Sequence, residues 1–172
     1  KTLDNEDPLG FIKSDRLAKF KWSSPVSASV KQSLQLKLAD VTETSYETYL
    51  GLSEEDFTIT PNRRYAASAQ DVMNTNQSQA VLTHTAAPSK RLEIKTDLYR
   101  TTFHRNWYKL DRAVDSTGMT MDLGEILNSP DDFSEGYSYL TGSSTIGLAG
   151  LDVKANNRNY FAQGIQSRLI YT

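Results

Sequence analysis

From Val26 to Leu38 the apolar residues keep to one parity. Val26, Ala28, Val30, Leu34, Leu36 and Leu38 alternate with Ser27, Ser29, Lys31, Ser33, Gln35 and Lys37, and Gln32 is the one interruption. Successive side chains of a strand point to opposite faces, so this run predicts a half-buried antiparallel strand, or two in sequence. One face would be packed and the other polar and lightly basic. Upstream, the polar, turn-rich lead-in of Asp4, Asn5, Glu6, Asp7, Pro8 and Gly10 gives way to Leu17, Phe20 and Trp22, which predict a short strand or hairpin arm. Downstream, residues 46–52 predict a strand, Glu54, Glu55 and Asp56 an acidic turn, and Phe57 and Ile59 a second strand stopped by Pro61. Residues 66–80 are small and polar without a period, which predicts a loop with room for one turn of helix. Val81 and Leu82, then Leu92, Ile94 and Leu98, predict two more strands on either side of Ala86-Ala87-Pro88-Ser89.

At Asp97 the period changes. Tyr99, Phe103, Trp107, Leu110 and Val114 are spaced four, four, three and four apart, which predicts an amphipathic helix capped by Asp97 and ended near Gly118. Thr101, Thr102, Phe103, Trp107 and Tyr108 favour a strand by residue type, and the spacing is given the greater weight. Asp122 with Glu125 forms a capping-box pattern before Ile126, and Ser129-Pro130-Asp131-Asp132 is a second helix start ahead of Phe133, Tyr137 and Leu140. The end returns to strands: Ile146 and Leu148, a turn at Asn156-Asn157, then Phe161, Ile165, Leu169 and Tyr171 on one parity. These parts sum to an α+β fold that is mainly β, an antiparallel sheet with one to three helices, with an all-β sandwich as the alternative. A chain of 172 residues without an internal linker or repeat is read as one domain over residues 1–172.

Composition adds constraints to this outline. A hydrophobic content of 38% with nine Tyr, six Phe and two Trp is enough for a packed core, which disfavours general disorder. With no cysteine, disulfides and cysteine-ligated metals are excluded. No apolar run approaches the ~18 residues a spanning helix needs, and the first ten residues are too acidic and polar to read as a signal peptide. The total charge is −2, but residues 90–112 hold seven Lys or Arg against three acids, so this window carries +4 and the remainder −6.

Signatures of catalysis are absent. The chain has no phosphate-binding glycine loop, no HExxH and no GxSxG, and Gly147-Leu148-Ala149-Gly150 lacks the spacing for phosphate. His84 and His104 stand without a carboxylate or second histidine at ligand spacing, and Asp131-Asp132 and Glu54-Glu55 sit where solvated or helix-dipole roles are ordinary. No enzyme activity, metal or cofactor is therefore expected. The basic window is better equipped. Lys and Arg neutralise phosphates while aromatic rings stack on unpaired bases, so Arg100, Arg105, Lys109 and Arg112, off the apolar stripe of the expected helix, are candidate nucleic-acid contacts. Lys31 and Lys37, beside Gln35 on the polar face of the long alternating strand, join them as candidates. Tyr99, Phe103 and Trp107 are candidate anchors for a partner subunit.

Trp22-Ser23-Ser24-Pro25 ahead of the alternating run to Val41, and Asn74-Thr75-Asn76-Gln77-Ser78 before further strands, resemble the coat proteins of some single-stranded RNA phages. The resemblance implies an antiparallel sheet whose inner face meets genomic RNA. It also implies helices late in the chain that pack across the sheet of a dimer partner, a part that the stripe from Tyr99 to Val114 resembles. No individual RNA-contacting residue is carried over from it. A rival resemblance lies at the C-terminus, where Leu169-Ile170-Tyr171-Thr172 is similar to the ends of chaperone–usher pilus subunits. The expectation is a non-enzymatic self-assembling structural subunit, a viral coat protein of the virion that associates with copies of itself as a dimer or higher assembly and binds single-stranded RNA. An exported pilus or adhesin subunit of a cell-surface filament is the alternative, and a β-rich ligand-binding domain the third reading.

Overall fold

The computed structural model describes residues 9–172, and the polar lead-in at residues 4–8 lies outside them. Strands β1 (Phe11–Ser23), β2 (Lys31–Ser45), β3 (Val72–Ser89), β4 (Leu92–Asp115) and the short β5 (Thr120–Met121) are neighbours in that order in one sheet. The last strand, β6 (Leu148–Tyr171), also pairs with β4. Three short helices, α1 (Glu54–Ile59), α2 (Leu123–Asn128) and α3 (Ser134–Thr141), and a 3-10 turn at Ala66–Ser68 complete an α+β fold that is mainly antiparallel sheet.

The alternation around Leu36 becomes β2, preceded by a turn through Pro25 in which the Ala28 amide donates to the Pro25 carbonyl. Several expectations are overturned, among them the strands at residues 26–30 and 46–52, which lie in no strand, and the strand at Phe57 and Ile59, which lie in α1. Residues 98–114 are strand, not helix: β4 runs unbroken from Leu92 to Asp115, and Gly118, at φ +86°, closes the turn into β5 rather than a helix. The acidic residues after Ser53 open a helix rather than a turn. Ser53 is the N-cap of α1, its hydroxyl accepting from the Asp56 amide, and Glu54, Glu55 and Asp56 lie at the positive end of the helix. The run at 66–80, expected as a loop, has one 3-10 turn and then enters β3 at Val72. Asn156-Asn157 does not turn the chain either, for both lie inside β6. The helix start at Asp122 has the expected form, its carboxylate accepting from the Glu125 amide at 3.0 Å.

The chain divides into two compact units. The first comprises Lys1–Ile12, Thr44–Asn74 and Asn106–Asn157, the second Lys13–Glu43, Thr75–Arg105 and Arg158–Thr172. Every buried residue belongs to the first unit. Its apolar cluster is Tyr65, Ala67, Leu110, Ile126 and Leu140, with Leu52, Leu127 and Leu151 packed around it. Gly136 of α3 is there because a Cβ would sit 2.9 Å from Ile126 Cδ1, so the glycine lets α2 and α3 approach closely.

A polar network closes the same unit. The Tyr65 and Tyr137 hydroxyls each donate to Asp56 Oδ2 at 2.7 Å, Arg63 pairs with Oδ1, and the Ser53 amide donates to the Tyr65 hydroxyl at 3.1 Å. Burial pushes the Asp56 carboxyl up, but the hydrogen bonds from Tyr137 and Tyr65 and the Arg63 guanidinium outweigh it, so its pKa lies below the ordinary 3.8. Nearby Asp71, 1% exposed, ties two segments together, accepting from the Leu110 amide at 2.6 Å and from the Thr48 hydroxyl. There burial dominates and the pKa is raised.

Replacing Tyr65 with Phe removes one donor to Asp56 and the acceptor of the Ser53 amide. Urea unfolding at pH 7 is expected to show a loss of about 1–3 kcal/mol. A depressed carboxyl contributes stability that is present above its unfolded pKa and lost as pH falls through its folded one. The gap between Y65F and wild type is therefore expected to narrow below about pH 4; a pH-independent gap would show that Asp56 ionisation is not involved.

Candidate nucleic-acid interface

Which side chains share a face of the second unit follows from contacts between strands. In β1 and β2, Lys13 meets Glu43 at 3.7 Å, and the Ser24 amide donates to the Gln32 carbonyl in the same register. Ser78 of β3 donates to Asp40 of β2, while Thr83 of β3 donates to Asp97 of β4 and Gln79 of β3 to Thr101 of β4. Between β4 and β6, Thr96 meets Ser167 at 2.9 Å and the Phe103 and Tyr160 rings lie 6.1 Å apart. With the strict alternation of strands, these pairs sort the unit into two faces.

One face is apolar. It carries Phe20 and Trp22 of β1, Leu34, Leu36 and Leu38 of β2, Leu82 of β3, Leu98 of β4, and Phe161, Ile165 and Leu169 of β6. The opposite face is basic. β1 contributes Lys13, Lys19 and Lys21, β2 Lys31 and Lys37, β4 Lys95 and Arg105, and β6 Arg158 and Arg168, against Asp15, Glu43, Glu93 and Asp97. Cations outnumber acids there although the whole chain is at −2. Aromatic rings stand among them: Phe103 beside Tyr160, and Tyr99 across Gly164, where a Cβ would come 2.8 Å from its hydroxyl. A hydrogen-bonded row crosses three strands, Lys37 Nζ donating to Gln79 Oε1 at 2.9 Å and Gln79 Nε2 to Thr101 Oγ1 at 3.3 Å. On the same face Lys95, Asp97, Gln166 and Arg168 line a shallow polar groove of about 510 Å³. Cations spaced along strands, with the exposed Tyr160 ring, the half-buried Tyr99 and Phe103 rings and amide groups between them, can neutralise phosphates and stack on unpaired bases.

The strand geometry redistributes the residues singled out in the sequence. Lys31, Lys37 and Arg105 share the basic face. Arg100 does not, because its parity places it on the apolar face, in a groove with Leu38, Ala80 and Asp40. Lys109 and Arg112 belong to the first unit. Lys109 Nζ lies 4.5 Å from the centre of the Tyr49 ring and 5.9 Å from that of Trp107, and Arg112 Nε donates to Asp152 at 2.9 Å. Tyr99 and Phe103 lie on the basic face of the second unit and Trp107 against Tyr49 in the first, at 4.5 Å between ring centres. Lys13, Lys19, Lys21, Lys95, Arg158, Arg168 and Tyr160 were missed. For Lys19 and Lys21 the signal was present in Lys19-Phe20-Lys21-Trp22, a strict alternation of cation and aromatic; the others carry no such local pattern. Among the described residues no cluster of three or more His, Asp or Glu could hold a metal ion, and no helix is long and apolar enough to cross a membrane.

No protein-family model matches this chain, and no curated protein and no solved structure is significantly similar to it.

The Lys109 contacts generate a prediction. An ammonium held over two rings at a partly exposed site contributes about 0.5–1 kcal/mol. Lys109→Met is expected to lower stability by that amount and to alter the emission of Trp107, while Arg112→Met leaves the emission unchanged. Denaturation followed by tryptophan fluorescence checks both.

Proposed function

We propose that this chain is a non-enzymatic, self-assembling structural subunit, a virion coat protein that contacts packaged single-stranded RNA through the basic face of its second unit. The observation that carries the reading is the polarity of that sheet, with cations and rings on one face and exposed apolar side chains on the other. A shell subunit has use for both: a cationic surface for the polyanion inside and an apolar surface for contacts between subunits. The arrangement of the cations supports a single strand over a duplex, because Phe103, Tyr160 and Tyr99 lie within the basic field and stacking requires unpaired bases.

Electron microscopy and the ratio of absorbance at 260 nm to that at 280 nm test assembly and cargo together, with closed particles containing nucleic acid as the expected result. For the purified subunit, binding to a single-stranded RNA oligonucleotide is expected to weaken steeply with salt. Lys37→Ala and Arg168→Ala should each reduce the slope of log K against log salt by about 1, since each removes a phosphate contact. Arg100→Ala, on the opposite face, should leave the slope unchanged. Salt-independent binding, or equal effects of all three substitutions, would contradict the assignment of this face.

A further inference from the structure

The second unit has no interior of its own. None of its residues is buried, and Phe161, Leu169 and Leu98 remain 74%, 68% and 53% exposed. A sheet with one apolar face reaches a stable state by burying that face against another layer, and contiguous exposed apolar patches of this kind mark interaction surfaces. We infer that the apolar face packs against the same face of a second copy of the chain, two sheets forming a sandwich about a two-fold axis. This inference rests on the self-assembly part of the proposal above; the sandwich points its two basic faces in opposite directions, so inside a closed particle one of the two meets the RNA.

Two properties of the face favour a second copy. The first is its size. Five strands spaced ~4.8 Å apart and about ten residues long at ~3.3 Å each present roughly 800 Å², which is what each partner contributes to a standard stable interface. Charge is the second. Arg16, Asp40 and Arg100 line one groove of about 470 Å³ in the apolar surface, so the face carries both signs and is able to complement itself. A two-fold axis passing through this groove brings Asp40 of one copy towards Arg100 of the other and repeats the contact in reverse, the reciprocity of an isologous interface. A second groove of about 550 Å³, lined by Leu36, Leu82, Leu98 and Ile165, offers the depressions that side chains of a facing sheet fill at the ~10 Å spacing of packed sheets.

The test uses the full wild-type chain, with sedimentation giving the assembly state and hydroxyl-radical labelling giving accessibility. The expected result is a dimer or an even multiple in which Phe20, Trp22 and Phe161 are oxidised at least tenfold more slowly than Phe57. A monomer at micromolar concentration, or an assembly in which these residues react as fast as Phe57, overturns the inference. Charge reversal tests the two-fold arrangement. Arg100→Asp is expected to weaken dimerisation at least tenfold and Arg100→Asp with Asp40→Arg to restore it; failure of the pair to restore, or protection of the face by a different protein, overturns it. Protected faces in particles without nucleic acid would refute the RNA reading alone. RNA binding by a chain whose apolar face stays reactive would refute this inference alone.

Discussion

A sheet whose side chains alternate between apolar and charged presents two surfaces with opposite needs, and only one of them is satisfied by water. That constraint governs this chain. In the first unit it is met internally: α2 and α3 close over Leu110, Ile126 and Leu140, and Tyr65, Tyr137 and Arg63 satisfy the carboxylate of Asp56 at its margin. In the second unit the same alternation produces two surfaces and no core. The apolar one calls for a protein layer, while the basic one, already satisfied by water, is free to exchange that water for the proposed polyanion.

The strand reading of β2 was legible because a half-buried strand writes its period into the sequence with little ambiguity, and the cap of α2 because Asp122 stands three residues before the amide it accepts from. The misreading of β4 has a definite physical cause. Tyr99, Phe103 and Trp107 recur every four residues, close to the 3.6-residue turn of a helix but also an even number, so the same residues share one face of a strand. Only the three-residue step to Leu110 spoke for a helix. In the structure Leu110 turns into the core of the first unit, its amide held by Asp71, so the irregular step reflects a local change of surroundings rather than of period. α1 was hidden by an opposite coincidence. Phe57 and Ile59 alternate, yet both are exposed, and the decisive signal was Ser53 followed by three acids.

The candidate interface was legible only in part, for a related reason. Charge counted along the chain located the window around β4, but a strand distributes consecutive cations to both sides of a sheet. The helical reading placed Arg100 and Arg105 together off the apolar stripe, whereas on the strand their parity puts them on opposite faces. What assembles the basic face is the pairing of β1 with β2 and of β4 with the distant β6, with β3 between the two pairs, and no local pattern records which parity of one strand meets which parity of the next.

Lys13, Lys19 and Lys21 have a further consequence through their position. They lie on β1, which among the described residues pairs with β2 alone and so leaves one side of its backbone open. An open strand is a template for uncontrolled growth, because any extended segment can hydrogen-bond to it. Two copies approaching along this margin bring their lysines together and repel each other. The same side chains proposed to meet a polyanion would therefore steer growth away from ribbon-like stacking and leave the broad apolar face as the proposed route of association.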